Sequence, residues 1–173
     1  LFARVARLSC RHCGKPVRRD STASIVDSLR ERATAAGDPR VLVCFAVAVP
    51  ANFTEEEIRQ HLLAQGYTRV HGRQAVAGDP QQTELLVIQD RFRIGGVEAG
   101  RLAEAVETAL QRGQGRMSVH VLADGAASSD EAPAEVAVWR YASALACADC
   151  GIAYHEAMPS LFSFNSPIGA CET

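Results

Sequence analysis

Two Cys-x-x-Cys pairs, Cys10/Cys13 and Cys147/Cys150, stand near opposite ends of the sequence, each followed directly by glycine. A turn tight enough to bring two thiolates to one point uses a residue that accepts positive φ, and Gly14 and Gly151 are suited to it. A tetrahedral zinc ion takes four such ligands at about 2.3 Å, so a site needs two pairs. Three arrangements are open. Cys147 and Cys150 can join Cys171 and a cysteine beyond Thr173. Cys10 and Cys13 can join Cys147 and Cys150, closing a loop around everything between. The first pair can also bind metal with a partner outside the sequence. His12 and His155 are spare nitrogen ligands. Cys44, inside the apolar run Val41-Leu42-Val43-Cys44-Phe45, reads as a small buried core residue.

No signal-peptide pattern stands at the start, so paired cysteines point to metal or redox chemistry in a cytoplasmic setting rather than to structural disulfides. Redox use of the thioredoxin kind needs the pair to open a helix after a strand. Cys10 follows no strong strand, and Pro16 interrupts soon after.

At 173 residues with 47% hydrophobic and 22% charged side chains, the chain can bury a real core without disulfides. No apolar run approaches the roughly 20 residues that span a bilayer, so no membrane role is expected. The net charge of −2 excludes a polyelectrolyte, but the charge is unevenly placed. Residues 1–40 hold nine basic and four acidic side chains, and the remainder is acidic. The basic stretch Arg4, Arg7, Arg11, Lys15, Arg18 and Arg19 can face phosphate, or simply be solvated surface. Leu1 in place of methionine, and an end just past Cys171, lead us to expect a piece of a longer protein.

Hydrophobic period and capping residues order the middle. Residues 22–36 read as a helix with Ile25, Val26 and Leu29 on one face, stopped by Gly37-Asp38-Pro39. Residues 41–49 are a buried strand. Thr54 caps a helix that begins with Glu55, Glu56 and Glu57 and stops at Gly66. Tyr67–His71 is a short strand, Gly78-Asp79-Pro80 a turn, and Glu84–Arg93 an alternating strand. Val97–Gln111 is a helix with Leu102, Ala105, Val106, Ala109 and Leu110 on one face, and Met117–Leu122 is a strand. The order β-α-β-β-α-β predicts an α+β, ferredoxin-like unit, with both helices on one face of an antiparallel sheet. Residues 124–134 read as a linker. A short strand around Val136, Val138 and Trp139 precedes the C-terminal cysteines.

Catalytic motifs are missing: there is no G-x-x-x-x-G-K-[ST], no G-x-G-x-x-G and no H-E-x-x-H. Asp90, Glu98 and Glu104 read as solvated acids, His61 as half-exposed, and His120 as either surface or core. No nucleophile–base pair stands out, so the chain carries no catalytic residues of its own.

The tail is the most specific stretch. Cys147-Ala148-Asp149-Cys150-Gly151, followed by Leu161-Phe162-Ser163-Phe164-Asn165-Ser166-Pro167-Ile168-Gly169-Ala170-Cys171, resembles the first zinc module of the UvrA family, the damage-recognition ATPase subunits of the bacterial excinuclease. Leu1-Phe2-Ala3-Arg4-Val5 resembles that family's LFARVG. Gln65-Gly66-Tyr67-Thr68-Arg69-Val70 resembles its QGYxRV, and Gln89-Asp90-Arg91-Phe92 its VDRF. Residues Arg101 to Leu110 resemble its RLAESxETAL. The matches run in order along essentially the whole chain.

The resemblance implies a fragment of a UvrA-like protein of nucleotide excision repair. It would supply the domain that docks a UvrB-like protein and part of a zinc module. The implied divisions are 1–21, a basic segment with the first knuckle; 22–123, the docking domain; 124–134, a linker; and 135–173, a truncated C4-type zinc module. Arg69 and Arg91 are the implied partner contacts. Cys147, Cys150 and Cys171, with a cysteine just past Thr173, are the implied C4 ligands, which leaves Cys10 and Cys13 to seek ligands elsewhere in the parent. Zinc is the implied cofactor. ATP, damaged DNA and homodimer formation belong to the parent. The sequence departs from the family at Glu156-Ala157-Met158-Pro159-Ser160, where ELEPR is usual, and at Pro50–Glu57, which replaces a lysine- and glycine-rich stretch. These departures fit a divergent paralogue. A different class of protein, a stand-alone zinc-stabilised interaction module, has the same cysteines without an ATPase.

Overall fold

The first helix, α1 (Thr22–Ala35), starts where Ser21 and Ser24 cap each other reciprocally, side chain to backbone. Ile25, Leu29 and Ala33 form its buried stripe. It ends at Gly37 and Asp38, both at positive φ, with the Asp38 N–H donating to the Ala33 carbonyl at 2.7 Å. The computed structural model describes residues 7–76, 79–123 and 134–155, without the side chains of 79–82.

Strand β1 (Arg40–Val49) follows, then α2 (Glu55–Ala64), β2 (Val70–Val76), β3 (Asp79–Arg93), α3 (Ala99–Arg112), β4 (Arg116–Leu122) and β5 (Glu135–Ala142). Thr54 caps α2 as its sequence indicates: its hydroxyl accepts from the Glu57 N–H, and the Glu57 carboxylate accepts from the Thr54 N–H at 2.7 Å. The Thr54 N–H, followed by the Thr54 hydroxyl at 2.8 Å, donates to the Glu57 carboxylate and holds it below its ordinary pKa.

The strands form one antiparallel sheet in the order β2-β3-β1-β4-β5. From β1 to β4 this is the expected ferredoxin-like unit. Among the described residues, the three α-helices cover one face. Val41, Val43 and Phe45 of β1 meet Leu29 of α1, Leu62 of α2, and Leu102 and Val106 of α3 in a single core. Fully burying a side chain of this kind contributes about 1.5–3 kcal/mol. Leu42 and Cys44 point the other way, into a small cluster with Leu122 and Ile88. The run around Cys44 is continuously apolar because β1 is covered on both faces. Cys44 is fully buried, and burial followed by the charge of Glu135 pushes its thiol up to about 12.

Three segments differ from their sequence pattern. β2 begins at Val70 rather than Tyr67 and runs to Val76. It is an edge strand whose partners include Arg73–Leu85 and Gln74–Glu84, so its polar half shows no apolar alternation. Asp79 and Pro80 belong to β3 rather than to a turn; residues 77 and 78 lie outside the described residues. The short strand expected around Val136, Val138 and Trp139 is present but longer, Glu135–Ala142, and it joins the sheet as a fifth strand with Trp139 opposite Val119. Of the linker segment only Ala134 is described, and its carbonyl accepts from the Ala123 N–H at 2.9 Å. Among the described residues no helix is long and apolar enough to cross a membrane.

Candidate metal centre

The two cysteine pairs sit on two copies of one turn. In the first, the Cys10 N–H donates to Lys15, Gly14 to Cys10 and Val17 to Leu8, each at 2.8 Å. In the second, Cys147 donates to Ile152 at 2.9 Å, and Gly151 to Cys147 and Tyr154 to Leu145 at 2.8 Å. The offsets from the leading cysteine are identical in the two. Gly14 and Gly151 have φ of 71° and 70°, the left-handed conformation the sequence led us to expect. Gly151 has a second constraint: a Cβ there would lie 2.7 Å from the Arg116 guanidinium. That guanidinium also pairs with the buried Glu84, so the second knuckle is docked onto the sheet.

The turns face each other. One sulfur from each of Cys10, Cys13, Cys147 and Cys150 lies within 4.8 Å of all the others. Cys13 Sγ is 3.6 Å from Cys147 Sγ. Sulfurs about 2.3 Å from a tetrahedral ion stand roughly 3.8 Å apart, so the four converge at the spacing one ion needs. All four are free thiols. Leu8, Val17, Leu145, Ile152 and Tyr154 pack with Cys10, Cys147 and Cys150 in a cluster separate from the main core, while Cys13 is exposed. Lys15 and Asp149 join the knuckles by an ion pair at 2.8 Å, and Asp20 ties the first segment to Ala142 at the end of β5.

The thiols are not equivalent. The Tyr154 hydroxyl donates to Cys10 Sγ at 3.3 Å, and with backbone N–H groups this lowers the Cys10 thiol to about 6. Burial, followed by hydrogen bonds to the other thiols, raises Cys150. Burial also raises Cys147, whose sulfur accepts from the Cys150 N–H at 3.4 Å. Cys10, favoured as a thiolate, beside Cys147 and Cys150, which would give up their protons to solvent as a cation binds, is the chemistry of a structural metal site. Neither pair opens a helix, as a thioredoxin-like site requires.

The four-cysteine grouping is the second of the three arrangements open in the sequence. Cys171 lies outside the described residues, so the C4 set that includes it is not described. His12 approaches the cluster, with Nδ1 3.4 Å from Cys150 Sγ. His155 is exposed and is not part of it. Arg69 and Arg91 are both exposed. The Arg69 carbonyl accepts from the Ile88 N–H at 3.1 Å just before β2, and Arg91 stands opposite Leu42 on β3. Arg69 thus stands at the entry to β2 and Arg91 on β3, rather than both on adjacent strands.

Of the basic stretch, Arg7, Arg11 and Arg18 are exposed, and Arg4 lies outside the described residues. Lys15 and Arg18 rim a cleft of about 350 Å³, where Arg32 stacks over Trp139 and Tyr141 at 5.6 and 6.0 Å. His61 is exposed and bonded to Gln65, and Asp90 pairs with Arg101.

The sequence pattern missed a second group. His71, His120 and Glu135 bring one ligand atom each within 4.8 Å of the others. Burial holds the His120 imidazole below its ordinary pKa against the opposing pull of Glu135. Burial raises the Glu135 carboxyl, but the hydrogen bonds from His120 and His71 outweigh it and hold it low. No spacing rule marks these residues, because they come from three different strands.

No protein-family model matches the chain. Curated relatives match it from end to end. UvrABC system protein A of Haemophilus influenzae is 32% identical over 181 residues, which is 100% of this chain and 18% of the relative. The protein of the same name from Thermus thermophilus is 30% identical over 183 residues, covering 99% of this chain and 18% of the relative. That of Escherichia coli is 30% identical over 181 residues, covering 100% and 18%. The chain thus spans about a fifth of the length of the curated relatives it matches.

Proposed function

The chain belongs to the UvrA family, as a segment about a fifth of its members' length, and on that premise we propose that it supplies a partner-docking domain and a zinc knuckle to a DNA-damage-recognition ATPase of nucleotide excision repair. The observation that carries this reading is the match over 99–100% of the chain. ATP hydrolysis, damaged-DNA binding and homodimer formation belong to the parent protein in this reading.

Zinc is the metal that four convergent thiols suit best, and Cys10, Cys13, Cys147 and Cys150 would hold it. Bound there, it would clamp the start of the chain to the segment after β5. Its role is structural, because four protein ligands leave no open position for a reacting water.

The partner is a UvrB-like protein, met through Arg69 and Arg91. Both are exposed, and among the described residues neither has an ion-pair partner within the chain. A free guanidinium offers a planar fork of donors that matches a carboxylate in two parallel hydrogen bonds. Arg69→Ala with Arg91→Ala is expected to weaken binding to UvrB by at least about tenfold in a calorimetric titration, since truncating one side of an interfacial charge pair commonly costs upwards of 2 kcal/mol. Unchanged affinity in that double variant would remove the docking role from these two residues.

A further inference from the structure

We propose that His71, His120 and Glu135 form a second metal site, for a divalent first-row transition ion such as zinc, on the sheet face opposite the helices. The three side chains come from β2, β4 and β5. In the sheet order β2 and β4 are separated by β3 and β1. Even so, the two imidazole centroids are 4.5 Å apart, and His71 Nε2 lies 3.1 Å from Glu135 Oε2. His120 Nδ1 bonds the same carboxylate oxygen. Two ring nitrogens therefore converge on one oxygen from opposite parts of the sheet.

The donor set is two imidazoles and one carboxylate, which suits zinc at about 2.0–2.2 Å per ligand and leaves a fourth position for water. Ligand atoms already within 4.8 Å of one another need only small side-chain rotations to reach the edges of such a tetrahedron. The ring of His120 is oriented for the role. It is 3% exposed, and its other nitrogen, Nε2, is 2.9 Å from the Ser118 hydroxyl. With a metal on Nδ1, that Nε2–H donates to Ser118, which is how ligating histidines are commonly fixed from behind. His120 stands opposite Leu42 in the sheet, beside the apolar cluster of Leu42, Cys44 and Leu122. Glu135 is partly open to solvent, which gives an ion its way in.

The alternative use of the same atoms is a metal-free hydrogen-bond network, and the two uses predict different titrations. The full chain, freed of metal, is titrated with zinc by calorimetry and with cobalt(II) by absorption. The expected result is a second equivalent whose cobalt spectrum lacks a thiolate-to-metal charge-transfer band. His71→Ala and Glu135→Gln should each weaken this second event by at least about tenfold, the smallest loss usually seen when even an outer-shell partner is removed. The first equivalent, with its thiolate band, should be unchanged in both variants, which shows that they remain folded and reports the cysteine centre separately. A single equivalent in the unaltered chain, or a second equivalent that survives both substitutions, overturns the proposal.

Discussion

The four-cysteine centre and the His71–His120–Glu135 group both gather metal-ligating atoms within the same small radius, yet they are built in opposite ways. Each half of the first is a local turn of a few residues, closed by its own backbone hydrogen bonds and packed in its own small apolar cluster. The second has no local half. Its members meet only because the sheet brings β2 across to β4 and β5. A site assembled from local turns is written as a spacing; a site assembled by strand order is not.

The largest effect that tests this contrast is metal removal. Chelation of the zinc-loaded chain, or Cys147→Ser, is expected to abolish stoichiometric metal binding at the four cysteines. Structural zinc contributes on the order of 10 kcal/mol to small zinc folds, so the knuckles should lose order with it. Hydrogen exchange should show lost protection at the Val17, Cys147 and Gly151 amides, with β1 and β3 still protected. Equal loss of protection in β1 would break the contrast, because the knuckles and the sheet would then be one cooperative unit.

A core truncation probes the other half. Leu102 of α3 is fully buried against the helix-covered face. Leu102→Ala is expected to cost about 2–5 kcal/mol in urea unfolding, through lost transfer energy and a cavity. Zinc affinity at the cysteine centre should stay unchanged while the sheet loosens. A parallel fall in zinc affinity would show that the knuckles depend on the core.

The smallest effect is a control remote from both clusters. Thr54→Ala removes the α2 cap and should cost about 0.5–2 kcal/mol. Its pH signature has a definite sign. Glu57 titrates below its unfolded value, so its contribution is present above the ordinary carboxylate range and is lost as pH falls through the lowered folded value. The variant keeps the residue-54 N–H, the main donor to Glu57, and loses only the hydroxyl, so its acid limb in a stability-against-pH series should be slightly flatter, with neither metal event altered.

Much of the fold was legible from local pattern. The reciprocal Thr54–Glu57 cap, the stripe from Leu102 to Leu110 and the apolar run around Cys44 each sit where the sequence places them. β2 was half hidden, because Arg73 and Gln74 lie on an exposed edge that needs no apolar alternation. Of the candidate site, the two knuckles were legible down to the positive φ of Gly14 and Gly151. His120 in its strand pattern fits surface or core equally, and nothing local marks His71 or Glu135.

The sequence by itself determined the parts whose physics is confined to a few residues: helix caps, hydrophobic period, and a turn that points two thiolates the same way. Only the tertiary structure decided which parts meet. Cys10 and Cys13 face Cys147 and Cys150 because the chain between them folds into a sheet whose last strand returns its end to the first segment, where Asp20 pairs with Ala142. His71 reaches His120 because the sheet brings strands that are not neighbours together on one face. Contacts of this kind depend on chain closure over long separations, and no local spacing encodes them.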